Sequence, residues 1–127
     1  MAALAQAESN RLLDASLGTA SYTAPTTPMK LAVMSTTGTT TAAGTEFTGG
    51  SYARQTIAFG SASSAAASNS GAISFTNSPA LTANSVEIYD SAGTPRRAWF
   101  GALTTPKTLN SGDTLSFAIA AISAALS

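Results

Sequence analysis

The segment VEIYDSAGTPRRAWFGAL, residues 86–103, contains two strand-like runs separated by turn residues. Residues 86–90 are the first run and residues 96–103 are the second. Residues 91–94 lie between the runs and include Gly93, and small residues of this kind allow the chain to reverse direction. The segment therefore predicts an antiparallel β-hairpin, around which further strands are expected.

A strand pattern also begins at Met29. In the segment MKLAVM, residues 29–34, Leu31 and Val33 fall on one face at a period of two, which is typical of a half-buried strand. Residues 35–44 that follow are rich in Thr, Ala and Gly. Such a composition predicts a loop between this strand and the next.

Two further strands are predicted before the hairpin. After a pair of turn glycines, an alternating segment places Ile57 and Phe59 on one face, and we expect both side chains to point inward. Residues 60–71 have the low complexity of a linker, although twelve residues also suit a connection within a sandwich. Ile73 and Phe75 then predict a short strand.

The C-terminal segment TLSFAIAAISAALS, residues 114–127, can be interpreted in two ways. Its large apolar residues alternate as far as Ile119 and then change face, which predicts a strand with a bulge near residues 120–121. Its alanines favour a helix instead. The β-branched residues and the NSGD turn at residues 110–113 favour the strand, which would return against residues 96–103.

These patterns predict a mainly β fold, an antiparallel β-sandwich or barrel of about seven short strands with a short N-terminal α-helix. At 127 residues the chain suits one domain. We divide it into an N-terminal helix at residues 1–18, a Pro/Thr linker at residues 19–28 and a β-sandwich domain at residues 29–127.

The N-terminal helix is predicted over residues 3–16, with Gly18 as its C-terminal cap. Its apolar side carries Leu4, Leu12, Leu13 and Leu17. The charged side chains of Glu8, Arg11 and Asp14 lie on or beside the other side. Because a helix of about 14 residues is marginal alone in water, the leucines are expected to dock on the same domain or on a neighbouring subunit.

The composition excludes several classes of partner. Charged residues make up 9% of the chain, whereas about 25% is usual, and the formal net charge is zero. Neither nucleic acid nor an anionic membrane is therefore an expected partner. No apolar run approaches the roughly 20 residues of a membrane span, and no signal peptide is recognisable, so we expect synthesis in the cytoplasm without an anchor.

The residue inventory argues against catalysis and metal binding. The chain has no histidine and no cysteine, which removes Ser-His-Asp triads and the usual zinc ligands. We therefore expect no catalytic residue, no metal site and no cofactor. Glu87 and Asp90 are close in sequence, but beside Arg96 and Arg97 they are expected to be solvated hairpin charges.

Trp99 and Phe100 are adjacent on a predicted strand and must face opposite sides of it. We expect one of them to pack in the core and the other to meet solvent, a partner or a loop. Either side chain could anchor an interface.

Two segments carry a resemblance to known proteins. TEFTGGSYARQTIAFG, residues 45–60, and FGALTTPKTLNSGDTLSF, residues 100–117, resemble a family of small tailed-phage virion structural proteins. Members of this family are variously labelled head decoration, minor tail or tail fibre protein, and the resemblance extends over nearly the whole chain. The chain departs from the family pattern at residues 73–99, which are shorter and more polar than expected.

The resemblance implies a structural role in a virion and no catalytic residues. The first expectation is a capsid decoration or cement protein, a homotrimer on the capsid surface that binds the major capsid protein. The alternative is a tail or tail-fibre component, and a glycan-binding module for host attachment is a third hypothesis. The candidate interface residues are Leu4, Leu12, Leu13, Arg96, Arg97, Trp99 and Phe100.

Overall fold

The computed structural model describes residues 2–126. This part of the chain contains one α-helix and nine β-strands. The elements are β1 (Ala3–Leu4), α1 (Gln6–Ser16), β2 (Met29–Met34), β3 (Gln55–Ile57), β4 (Ala66–Ser68), β5 (Ile73–Phe75), β6 (Thr82–Tyr89), β7 (Arg97–Thr108), β8 (Leu115–Phe117) and β9 (Ser123–Ala125). Within residues 2–126, no helix is both long and apolar enough to cross a membrane.

The largest sheet has five antiparallel strands in the order β1-β7-β6-β2-β3. In the β6–β7 pair, Glu87 lies opposite Phe100 and Ile88 lies opposite Trp99, which confirms the predicted hairpin. Two smaller antiparallel pairs, β5–β8 and β4–β9, accompany this sheet. The fold is thus mainly β with a short N-terminal helix, as predicted, and is consistent with a β-sandwich.

The hydrophobic core lies on one face of the large sheet and joins it to the β5–β8 pair. Leu31 and Val33 of β2 point into this core, because alternate side chains of a strand share a face. Ile57 is buried and Phe59 packs against the same cluster, so the prediction that both point inward is confirmed. The short strand predicted at Ile73 is also confirmed.

The other face of the sheet is buried as well, and here the half-buried strand prediction for residues 29–34 is wrong. Ala32 and Met34 of β2 are as inaccessible as the core residues Leu31 and Val33 of the same strand. The cause is the loop at residues 35–46, which folds over this face. Its backbone is attached to β6 through a hydrogen bond from the side-chain amide of Asn84 to the carbonyl of Ser35.

The C-terminal segment forms strands and not a helix, but its partners differ from those predicted. β8 pairs with β5, and β9 pairs with β4. The prediction that this segment returns against residues 96–103 is therefore wrong. A turn, and not a bulge, separates the two strands, and Ala120 in it has a φ of 65°. The buried Asn69 holds this turn, since its amide donates to the carbonyl of Ala118 and its oxygen accepts from the N–H of Ile122.

The N-terminal segment starts with a strand, so α1 begins at Gln6 and not at residue 3. β1 adds to the edge of β7, with Leu4 opposite Trp99. After the helix, residues 17–28 form no strand or helix but follow the surface of the domain. Two hydrogen bonds hold Thr26 of this segment to the residues after β6. Its N–H donates to Asp90, and its carbonyl accepts from the N–H of Ser91.

Candidate functional site

Helix α1 turns a charged residue towards the domain. Glu8 is 2% exposed, whereas Leu13 is 56% and Leu17 is 74% exposed. The prediction that Glu8 lies on the outer side of the helix is therefore wrong. The helix is oriented by an ion pair with a distant residue, while one leucine of the helix and the leucine that follows it remain on the surface.

Glu8, Tyr22 and Arg96 form what we call the N-terminal cluster. The Nε and Nη2 atoms of Arg96 each donate to one carboxylate oxygen of Glu8, both at 2.8 Å. The hydroxyl of Tyr22 donates to Glu8 at 2.6 Å, and Arg96 also donates to the carbonyl of Thr23. Bidentate charged pairs of this kind are among the strongest hydrogen bonds in proteins. The cluster ties the helix, the segment after it and the start of β7 together.

Glu87, Tyr89 and Arg97 form the central cluster on the second face of the large sheet. Arg97 donates to both oxygens of Glu87 at 3.0 Å, and the hydroxyl of Tyr89 donates to Glu87 at 2.8 Å. The backbone N–H of Gly44 donates to the same carboxylate at 2.9 Å. The guanidinium of Arg97 also lies 4.5 Å from the ring centroid of Phe100. This cluster fixes the covering loop onto the sheet.

Glu46, Tyr52 and Arg54 form the β3 cluster, named after the strand that follows Arg54. Arg54 donates to the two oxygens of Glu46 at 2.9 and 2.8 Å, and the hydroxyl of Tyr52 donates to Glu46 at 2.7 Å. The Arg54 guanidinium lies 3.9 Å from the ring centroid of Tyr89, which connects the β3 cluster to the central cluster. The three clusters therefore repeat one arrangement of three side chains.

The surroundings shift the pKa of several of these groups. Burial and then the hydrogen bond to Glu87 raise the pKa of Tyr89 to about 12. The pKa of Tyr52 rises for the same reasons, with Glu46 as the acceptor. Burial opposes ionisation of Glu46, but hydrogen bonds from Arg54 and Tyr52 together hold its pKa below the usual value. The tyrosines thus stay protonated as donors and Glu46 stays ionised as an acceptor.

Glu87 and Asp90 are buried, so their prediction as solvated hairpin charges is wrong. Asp90 accepts hydrogen bonds from the backbone N–H groups of Thr26, Ala92 and Arg96. Burial opposes its ionisation, but these donors hold its pKa below the usual value. Both carboxylates are engaged in internal bonds, which gives them a structural role in connecting segments.

The leucines predicted at an interface occupy three different environments. Leu4 is half-buried on β1, and Leu12 is half-buried on α1. Leu13 is exposed on the same helix, and Leu17 follows it on the outer side of the chain. Arg96 and Arg97, predicted at the same interface, belong to the N-terminal and central clusters. The structure therefore leaves Leu13 more available to a partner than the two arginines.

Trp99 and Phe100 face opposite sides of β7, as predicted. Trp99 shares the core face with Ile88, and it also lines a shallow apolar cavity of about 220 Å³ beside β4 and β9. Phe100 shares the other face with Glu87 and lies beneath Arg97. Both side chains are half-buried.

Of the nine members of the three clusters, only Arg96 and Arg97 were predicted from the sequence as candidate interface residues, and none was predicted in a cluster. A signal was present in the composition: a chain with 9% charged residues contains three glutamates and three tyrosines, and all six enter these clusters. A second signal was Glu87, which stands between Val86 and Ile88 in an otherwise apolar strand. A carboxylate at such a position needs a buried partner.

The chain matches no curated protein. A family described as Podophage GP4 fiber I protein gp80 matches residues 3–125. The match includes β1, α1 and every later strand, and it agrees with the resemblance of residues 45–60 and 100–117 to phage virion proteins. Since it extends over almost the whole length, the chain belongs to this family of phage fibre proteins and is a structural protein of a phage virion.

Proposed function

We propose that this chain is a structural component of a phage tail fibre that associates with copies of itself and with a larger part of the virion, without catalytic activity. The observation that carries the proposal is the family match over residues 3–125, whose description names a fibre protein. That description favours the fibre over the capsid decoration role that was the first expectation.

The charge distribution supports a role in permanent assembly. Six of the twelve charged side chains are the glutamates and arginines of the three clusters, which bind one another. The remainder of the chain is rich in Ala, Ser and Thr. Burying such neutral surface against a partner requires little removal of water from charges. Close packing between copies therefore carries only a small desolvation penalty for this protein.

Exposed apolar side chains supply candidate contact points. Leu13 lies on the outside of α1 and Leu17 directly after it, and Ile119 and Leu126 are 64% and 52% exposed in the C-terminal region. Isolated exposed leucines are common, but the leucines of the N-terminal segment were predicted to dock either on the same domain or on a neighbouring subunit, and Leu13 and Leu17 do not dock on the domain. We propose that Leu13 and Leu17 contact a partner in the fibre.

The location in the virion can be tested directly. Virions would be labelled with an antibody against this chain and imaged by electron microscopy, and the copy number would be measured by quantitative mass spectrometry. A fibre protein is expected as a few copies at the tail. Dense label over the head, with a copy number close to that of the capsid subunits, would contradict the fibre proposal and support decoration of the major capsid protein.

Self-association can be tested on the isolated chain. Light scattering coupled to size exclusion is expected to give a mass that is a small multiple of 12.6 kDa. A homotrimer remains the specific prediction of the sequence analysis. A single-chain mass at all accessible concentrations would contradict self-association.

A further inference from the structure

We define residues 2–16 as the N-terminal arm. Among the bonds that the structure describes, those that attach the arm to the domain lie near its beginning. The N–H of Ala2 donates to Ser123 at 3.0 Å, and the N–H of Ala5 donates to Ala98 at 2.9 Å. Between them β1 pairs with β7, and the last attachment is the bidentate pair of Glu8 with Arg96. The seven residues from Ala2 to Glu8 thus make the contacts that attach the arm to the domain.

The helix leads away from this attachment, and residues 17–22 bring the chain back to it. After α1 ends at Ser16, Gly18 takes a φ of 77° and the chain reverses through exposed residues 17–21. Tyr22 then comes back to Glu8, 14 residues earlier, at 2.6 Å. The arm lies on its own domain because the chain reverses its direction next to Gly18. Without this reversal the arm would extend away from the domain.

We propose that the N-terminal arm is exchanged between copies, so that β1 and Glu8 of one chain occupy the edge of β7 and Arg96 of a neighbouring chain. The argument is complementarity: the receiving site offers a β7 edge opposite residues 3–4 and a guanidinium that needs a carboxylate. A second copy carries the same Glu8 at the same spacing. Exchange of an identical element preserves the bonds between the arm and its receiving site and is a low-cost route to assembly.

The chain is long enough for such an exchange. From Glu8 to Ser16 the helix rises about 12 Å, and five extended residues at positions 17–21 add about 17 Å. An opened arm thus reaches roughly 30 Å from Tyr22, which is comparable to the diameter of a small domain. The arm can therefore reach a copy in direct contact but not a distant one, which restricts exchange to adjacent copies.

This inference rests on the proposed self-association of the chain. The native sequence has no cysteine, so every disulfide that forms must join introduced cysteines. Ala3 and Phe100 lie directly opposite each other in the β1–β7 pair. Two chains, one with Ala3→Cys and a tag and one with Phe100→Cys, would be unfolded together, refolded as a mixture and mildly oxidised.

Exchange predicts a covalent dimer of the tagged and untagged chains on a non-reducing denaturing gel, because Cys at position 3 of one chain meets Cys at position 100 of another. A mixture of Ala3→Cys with Ser111→Cys, an exposed turn position, measures random encounters. Mixed dimers at the level of this control would contradict exchange.

The double variant Ala3→Cys/Phe100→Cys gives an independent result. Exchange predicts a ladder of covalent multimers, whereas a monomer with an internal disulfide contradicts it. Free thiols after oxidation would also contradict it, because they show that β1 does not lie on β7 of any chain. The neighbouring pair Leu4→Cys/Trp99→Cys repeats the test if the loss of Phe100 unfolds the domain.

Light scattering on the same samples separates the two proposals. An assembled protein whose arms all close internally contradicts arm exchange and leaves self-association intact. A protein that is monomeric at every concentration contradicts both.

Discussion

Arg96 and Glu8 are 88 residues apart in the chain, yet two guanidinium nitrogens of Arg96 lie 2.8 Å from the two carboxylate oxygens of Glu8. The Glu8 side chain is 3% exposed and that of Arg96 is 15% exposed. A pair so well shielded from water is not weakened in the way that a surface ion pair is. It determines which side of the N-terminal helix faces the domain.

Replacing Arg96 with glutamine should lower the free energy of unfolding by about 3 kcal/mol, because Glu8 is left as a buried charge without its partner. Urea unfolding followed by circular dichroism measures the change. The matched control is Arg11→Gln: Arg11 is 41% exposed and lies 3.4 Å from the same carboxylate. That control should change stability by less than about 0.5 kcal/mol. Equal losses for the two variants would show that the Glu8–Arg96 pair has no special role.

Stability should fall at alkaline pH because of the buried tyrosines. The pKa of Tyr89 is raised to about 12 in the folded chain, whereas an unfolded tyrosine has a value near 10. The unfolded state therefore loses this proton first, and the stabilisation present below pH about 10 is lost as the pH rises towards about 12. Urea unfolding at a series of pH values measures this slope, which Tyr89→Phe should reduce. Tyrosinate absorbance that appears near pH 10 for all three tyrosines would contradict the prediction.

Substituting Gly44 with alanine should destabilise the loop that covers the central cluster. A Cβ atom at this position would collide with the backbone carbonyl of Thr36, which has no freedom to move aside. The expected loss is about 1–3 kcal/mol, as for other forced overpacking. Gly60→Ala is the matched control, because a Cβ there meets no atom within 4 Å. Thermal unfolding should separate the two variants, and an unchanged midpoint for Gly44→Ala would show that the loop adapts.

Replacing both Leu13 and Leu17 with serine should weaken assembly without weakening the fold. Both side chains are exposed in the isolated chain, so its unfolding free energy should change by less than about 0.5 kcal/mol. Light scattering over a range of concentrations should show dissociation at a concentration at which the native chain is assembled. An unchanged association curve would exclude these leucines from the contact.

Patterns that depend on near neighbours in the chain predicted much of the fold. Alternation over residues 86–103 and the turn residues between them were sufficient for the β6–β7 hairpin, because both strands and their connection are contiguous. The strand at Ile73–Phe75 and the inward direction of Ile57 followed from the same period of two. These features require no knowledge of a distant partner.

Features that depend on distant partners were not predictable in this way. Leucine spacing alone indicated that Glu8 faces outward, and only the position of Arg96 directly before β7 reverses that orientation. The partner of β8 is β5, although the nearer hairpin strand offered the simpler return. The burial of Glu87 likewise depends on a loop that begins about fifty residues earlier in the chain, at residues 35–46.

The enclosed clusters also bear on the medium in which this protein acts. Salt screens charges on a surface, but it has little effect on pairs from which water is excluded. Since Glu8 and Glu87 meet their arginines inside the domain, the fold keeps these bonds in dilute and in concentrated electrolyte alike. The exterior carries few charges, so we expect contacts made through it to depend little on screening by salt. We therefore expect a subunit with these enclosed pairs to keep its fold when the salinity around it changes.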